Sequence, residues 1–87
     1  MINKFYCTKC GKEGIPIFRK GNQKREKGHL KKLYCLNCRQ ETNHAEIANG
    51  YTYDDFLKEF REGNFNEEGK RVVPFRSYSR SEKNERN

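Results

Sequence analysis

Apolar residues in this chain come in short bursts, and the spacing within each burst indicates an element. Ile15 and Ile17 alternate across Pro16 and, with Phe18 and Arg19, predict a strand over residues 15–19. Leu30 to Tyr34 reads as its return strand, after turn signals at Gly21-Asn22-Gln23 and Lys27-Gly28. Thr42 to Ile47 predicts a third strand with Ala45 and Ile47 facing inward, and Asn49-Gly50 ends it. The period then changes. Tyr53, Phe56, Leu57 and Phe60 fall at i, i+3, i+4 and i+7, the apolar stripe of a helix. Thr52 with Asp55 three residues later is a capping box with Asp in place of Glu, and Gly63 fits the position just past the helix end. Val72-Val73-Pro74-Phe75 is a short apolar stretch, either docked or an edge strand. From Arg76 to Asn87 almost nothing is available to bury, which predicts a disordered tail. Three regions follow: 1–50, 51–75 packing on it, and the tail 76–87.

Composition sharpens this outline. Only 32% of the 87 residues are hydrophobic, too few for a large core, a deep cavity or a two-domain enzyme. No apolar run approaches the ~20 residues of a membrane span. Met1-Ile2-Asn3-Lys4 begins without an apolar signal region, so a cytoplasmic location, with no membrane contact, is expected. Something other than burial must hold such a chain together.

Cys7-Thr8-Lys9-Cys10 and Cys35-Leu36-Asn37-Cys38 are the candidates. Two Cys-x-x-Cys turns with 24 residues between them are the pattern of a structural metal site. Each turn presents two sulfurs to one ion, and two turns complete a tetrahedron. Zinc suits four thiolates, and its binding energy, on the order of 10 kcal/mol, would be folding energy. Gly11 follows the first turn, where the backbone needs a positive φ; Arg39 stands at the equivalent place after the second. Other chemistries use the same residues. A disulfide framework needs an oxidising compartment. A redox pair expects a single Cys-x-x-Cys in a βαβ unit. Iron in a rubredoxin-like site takes the same four ligands. His29, at a strand start, and His44, read as a surface residue on a strand, are not needed once four cysteines fill the shell.

Charge is distributed unevenly. The net charge is +7, and residues 1–50 carry all of the excess, while residues 51–87 are balanced. Arg19, Lys20, Lys24, Arg25, Lys27, Lys31 and Lys32 lie within fourteen residues, opposed only by Glu26. This basic hairpin suits a polyanion or an acidic protein face. Aromatics such as Phe18 and Tyr34 could stack on bases if the partner were DNA or RNA. An enzyme is not expected. A closed four-cysteine shell has no position for substrate, and no nucleophile, phosphate-loop or metal-nuclease constellation is present. Asp54 and Asp55 are adjacent and better explained by the helix dipole.

The Cys-x-x-Cys-Gly, hairpin, Cys-x-x-Cys arrangement of residues 5–47 resembles a zinc ribbon. That likeness implies a three-stranded antiparallel sheet with one zinc ion at one end, in a small metal-stabilised α+β chain. Ribbons that assist RNA polymerase cleavage carry an Asp-Glu pair at the hairpin tip. Here the tip is Lys20 to Lys27, so that activity does not carry over. The run Gly28-His29-Leu30-Lys31-Lys32-Leu33-Tyr34-Cys35, with Thr42-Asn43-His44 and Tyr51 to Phe56, is similar to small zinc-ribbon proteins of bacteriophages and prophages. Some small zinc-binding phage proteins are anti-CRISPRs that block the type II RNA-guided nuclease. The resemblance implies a monomeric inhibitor that binds a host nucleic-acid-handling protein; direct nucleic-acid or transcription-associated binding through the hairpin is the alternative.

Overall fold

In the computed structural model, described for residues 2–19 and 26–74, the chain makes two hairpins that lie side by side. Each turns at one Cys-x-x-Cys. Strand β1 (Ile2–Cys7) enters the first turn. The chain then comes back along it: the Cys7 N–H donates to the Lys12 carbonyl at 2.9 Å and the Gly14 N–H to the Phe5 carbonyl at 2.7 Å. Strand β2 (Ile17–Phe18) closes this hairpin, pairing Ile2 with Phe18 and Asn3 with Ile17. Strand β3 (Leu30–Cys35) enters the second turn and β4 (Gln40–Ile47) leaves it, in register from Leu30↔Ala45 to Cys35↔Gln40. Antiparallel pairing of β1 with β4, from Lys4↔Ile47 to Cys7↔His44, joins the two. The sheet therefore has four strands in the order β2-β1-β4-β3.

This corrects the expected three-stranded sheet. Residues leading into the first Cys-x-x-Cys are themselves a strand, because Asn3, Phe5 and Cys7 alternate toward one face and reach β4. The strand expected over 15–19 shrinks to two residues. Pro16 has no N–H to give a ladder, so pairing starts after it. It lies against β1 and not against residues 30–34, whose partner is β4.

Both faces of β4 are covered. Ala45, with Tyr51 and Phe56, forms the buried apolar centre of one face, and Tyr6, Leu30, Ile47, Leu57, Phe60 and Phe65 pack around it. Ala45 and Ile47 face inward as expected. The opposite face carries Phe5, Cys7, Thr42, His44 and Glu46, all buried. Residues 11–19 fold back over that side: an added Cβ at Gly14 would lie 2.6 Å from the His44 ring, and the Arg19 guanidinium sits 5.5 Å from the Phe5 ring centre. His44 is thus fully buried, not a surface residue. The period-two pattern assigns it to the face away from the helix, and the return of the first hairpin covers that face.

Helix α1 (Tyr53–Arg61) has the expected ends. The Thr52 hydroxyl accepts from the Asp55 N–H at 3.1 Å, and the Asp55 carboxylate accepts from the Thr52 N–H at 2.9 Å. After the helix, Gly63 at φ +74° lets its N–H reach the Phe60 carbonyl and the Asn64 N–H reach the Glu59 carbonyl, which satisfies two orphan acceptors. The buried stripe is rotated from the expected one. Phe56 is fully buried, Tyr53 lies at the exposed margin, and Glu59 is buried beside Phe56.

Glu59 is held by four donors. Tyr51 donates to Oε1 at 2.5 Å, Asn64 to Oε2 at 2.8 Å, and Arg71 to both oxygens at 2.7 and 3.0 Å. Arg71 also donates to the Gly28 carbonyl at 2.6 Å and stands near the Tyr51 and Phe65 rings. One carboxylate thereby fastens the helix to residues 64–71 and to the turn before β3. Burial, together with its hydrogen bond to Glu59, raises the Tyr51 phenol far above its usual range. The segment 72–74 is held by hydrogen bonds to Asn64, not by apolar burial: the Val72 N–H donates to the Asn64 carbonyl and the Asn64 side-chain amide exchanges hydrogen bonds with the Val73 backbone, while Val72 is 60% exposed. Phe75 and the expected tail 76–87 lie outside the described residues.

Two outcomes follow for unfolding monitored by heat or urea. Phe56→Ala removes a buried ring and should cost about 3–5 kcal/mol. Arg71→Ala strands a buried carboxylate and should cost a similar amount, while the Glu59→Met/Arg71→Met pair, which buries no charge, should cost less than the single change.

Candidate metal centre

The two Cys-x-x-Cys turns adopt one backbone shape. In the first, the Gly11 N–H donates to the Cys7 carbonyl at 2.8 Å with Gly11 at φ +80°. In the second, the Arg39 N–H donates to the Cys35 carbonyl at 2.7 Å with Arg39 at φ +59°. Arg39 therefore takes the left-handed conformation that glycine supplies in the first turn, although it costs a side-chain-bearing residue about 1–2 kcal/mol. Cys7 and Cys35 sit at the last positions of β1 and β3, so the sheet places them; Cys10 and Cys38 follow from the turns.

All four cysteines are free thiols. Their sulfurs lie within 4.8 Å of one another, a cluster that can hold a metal ion. Cys7 Sγ is 3.9 Å from Cys38 Sγ, and Cys10 Sγ is 3.7 Å from Cys35 Sγ. A tetrahedron with metal–sulfur bonds of about 2.3 Å has edges of about 3.8 Å, so the donor set fits one ion. Those separations are well beyond a disulfide bond of about 2.05 Å. Donors converge on two of the sulfurs. Cys7 Sγ is 3.0 Å from the Thr42 hydroxyl and 3.4 Å from the Lys9 N–H; Cys35 Sγ accepts from the Cys38 N–H at 3.4 Å. Without a cation Cys35 and Cys38 differ sharply. Burial raises Cys35, but hydrogen bonds from the Cys38 backbone, Cys10 and the Asn37 backbone overcome it and hold the thiol at about 7. Burial and the neighbouring sulfurs push Cys38 up to about 12. Four thiolates this close repel one another, and a divalent cation removes that repulsion.

Thr42 is a site residue that spacing did not single out. The available signal was its place in the strand: two residues before His44, which pairs with Cys7, it shares the sulfur-bearing face. His44 lies beside the centre without joining it. Its Nδ1 is 2.9 Å from the Thr42 carbonyl, which can only accept, so Nδ1 carries the proton, and Nε2 has no partner among the described residues. Burial lowers its pKa, with the Thr42 carbonyl acting in the opposite sense.

The seven basic residues do not act alike. Arg19 is turned inward: its guanidinium grips the Glu46 carboxylate through Nε at 3.1 Å and a terminal nitrogen at 3.0 Å, and its side chain is only 12% exposed. Asn3 donates to the same carboxylate at 2.6 Å. Burial alone would raise the Glu46 pKa, yet Arg19 and Asn3 hold it below the usual carboxylate range. Lys27 and Lys32 are exposed and Lys31 is half-buried. Lys20, Lys24 and Arg25 lie outside the described residues. Among the described residues no helix is long and apolar enough to cross a membrane.

Gly11→Ala should destabilise by about 1–3 kcal/mol, because it strains the backbone and brings a Cβ to 3.0 Å from the Phe60 ring. Arg39→Gly, relieving the same conformation, should be neutral or stabilising by up to about 1 kcal/mol. Thr42→Val should weaken metal binding about tenfold in competition with a chromophoric chelator. The chain matches no protein-family model, no curated protein and no solved structure, so the metal-centre reading stands on the geometry of Cys7, Cys10, Cys35 and Cys38.

Proposed function

We propose that this chain is a non-enzymatic binding module whose fold is fastened by one structural zinc ion. The observation that carries this reading is the four-sulfur cluster at the shared end of two hairpins. Four protein ligands close a tetrahedral shell, so zinc bound there would stabilise and not catalyse. Its partner is a host nucleic-acid-handling protein, for which the phage zinc-ribbon resemblance suggests the type II RNA-guided nuclease. The module would inhibit it by covering a nucleic-acid entry path or by freezing a moving domain. Support for the charge of that partner comes from the excess of basic residues in the first half of the chain. Arg19 does not count toward the contact, because it is occupied by Glu46. Direct binding to DNA or RNA through the same basic stretch is the second reading, favoured by the same charge.

Elemental analysis of the purified chain should find close to one zinc per molecule, and Cys35→Ser or prolonged chelation should unfold it. A metal-free chain that stays folded refutes the structural role. Reversing Lys24, Arg25 and Lys27 to Glu should leave the melting temperature nearly unchanged. It should also slow association with an acidic partner, an effect that shrinks as salt rises. Pull-down with the nuclease and gel shift on DNA and RNA, run in parallel, separate the two readings. Loss confined to the pull-down supports the inhibitor. A gel shift with a steep salt dependence, and no pull-down, supports the nucleic-acid binder.

A further inference from the structure

We propose that the outer edge of β3 is a docking strand: an extended, acidic segment of a partner protein adds to the sheet there, beside Leu30–Cys35. The proposal rests on the reading of the chain as a protein-binding module, and deepens it by naming the surface and the chemistry of what it takes.

The direction of the backbone groups follows from the ladders. The Glu46 N–H donates to the His29 carbonyl at 3.0 Å, on the β3 side of β4. The Asn43 carbonyl accepts from the Thr8 N–H at 2.9 Å, on the β1 side. Even-numbered residues of β4 therefore hydrogen-bond toward β3 and odd-numbered ones toward β1. Lys31, Leu33 and Cys35 lie opposite His44, Thr42 and Gln40 and exchange their bonds with them. Leu30, Lys32 and Tyr34 lie opposite Ala45, Asn43 and Glu41, so their N–H and carbonyl groups turn away from the sheet. β3 stands last in the strand order, and among the described residues no backbone group pairs with that outer edge. The opposite edge is far less suited. β2 pairs over two residues, and Pro16 just before it has no N–H to offer. β3 runs for six residues without proline or glycine.

Side chains beside the edge select the occupant. Lys32 and Tyr34 share one face of β3 and are both exposed, while Lys31 is half-buried on the other. Among the described residues neither lysine has an ion-pair partner. A second copy of β3 suits the edge poorly. Antiparallel self-pairing would bring Lys31 and Lys32 of both copies into one short ladder, and like charges across a ladder destabilise it. Aspartate or glutamate on the incoming strand reverses the sign of that interaction. The lysines thus keep copies of the chain apart and favour an acidic strand. Tyr34 is 48% exposed and Leu36, in the turn just beyond, is 72% exposed. They add apolar contacts that a merely protective edge does not need.

The test uses the full zinc-loaded chain, isotope-labelled, with blocked peptides as long as β3. One alternates Thr and Glu, its counterpart Thr and Lys, and amide chemical shifts and hydrogen exchange are followed. The Thr–Glu peptide should shift and protect the Leu30, Lys32 and Tyr34 amides; the Thr–Lys peptide should not. Lys32→Pro removes an outward N–H and leaves the β4 ladder intact. It should fold and bind the Thr–Glu peptide about tenfold more weakly, the worth of one hydrogen bond. Lys32→Glu keeps that N–H and provides the same test if the proline variant does not fold. It should also weaken binding about tenfold, and less so as salt rises. Equal binding of both peptides, shifts confined to other amides, or unchanged binding by Lys32→Glu overturns the proposal. So does a chain that dimerises through these amides, or a single-stranded oligonucleotide that shifts them more strongly than the Thr–Glu peptide. If neither peptide binds while the nuclease pull-down persists, the edge proposal fails and the binding-module reading stands. If the pull-down fails as well and only the gel shift remains, both fail.

Discussion

Four sulfurs must meet at one point, and that requirement organises the rest of the chain. Cys7 and Cys35 end strands in separate hairpins, so their approach demands that β1 lie against β4 and that both hairpins turn at the same end of the sheet. Once β1 and β4 are paired, the positions of Cys10 and Cys38 follow from two turns of the same shape. The cost is local strain at Arg39 and electrostatic repulsion among closely spaced thiolates. A bound cation would offset the second, and a chain with so small an apolar core has few other means of doing so.

Away from the sulfurs, two buried ion pairs among the described residues fasten segments that the sheet does not hold. Arg19 on Glu46 ties the end of the first hairpin onto one face. Arg71 on Glu59 ties residues 64–71 and the Gly28 turn to the helix on the other. In both, further donors satisfy the carboxylate: Asn3 in one, Tyr51 and Asn64 in the other. Buried pairs of this kind add little net stability compared with apolar packing, but breaking one is costly. Here each joins residues far apart in sequence, 27 positions for Arg19 and Glu46, which is how a short chain specifies one arrangement of its loops.

These pairs also bear on function. A basic residue can either face a partner or be consumed internally, and composition alone does not distinguish the two. Arg19 is consumed, whereas Lys32 is exposed.

What the sequence determined by itself is local. The four candidate ligands follow from Cys-x-x-Cys spacing, because a single turn sets the distance between its own two sulfurs. The capping box of Thr52 and Asp55 and the exit at Gly63 were legible for the same reason: their hydrogen bonds span only a few residues. Ala45 and Ile47 were legible as inward-facing because a strand alternates with period two. Tertiary structure decided everything that depends on which segment covers which. His44 is buried because residues 11–19 fold back over it, and no periodicity within 42–47 reports that. The fourth strand emerges because β1 finds a central place between β2 and β4, and Pro16 shortens the strand that spacing had extended. Glu59 and Arg71 carry charges that read locally as solvent-facing. Only their mutual approach, with Tyr51 and Asn64 closing the shell, makes burial of those charges tolerable.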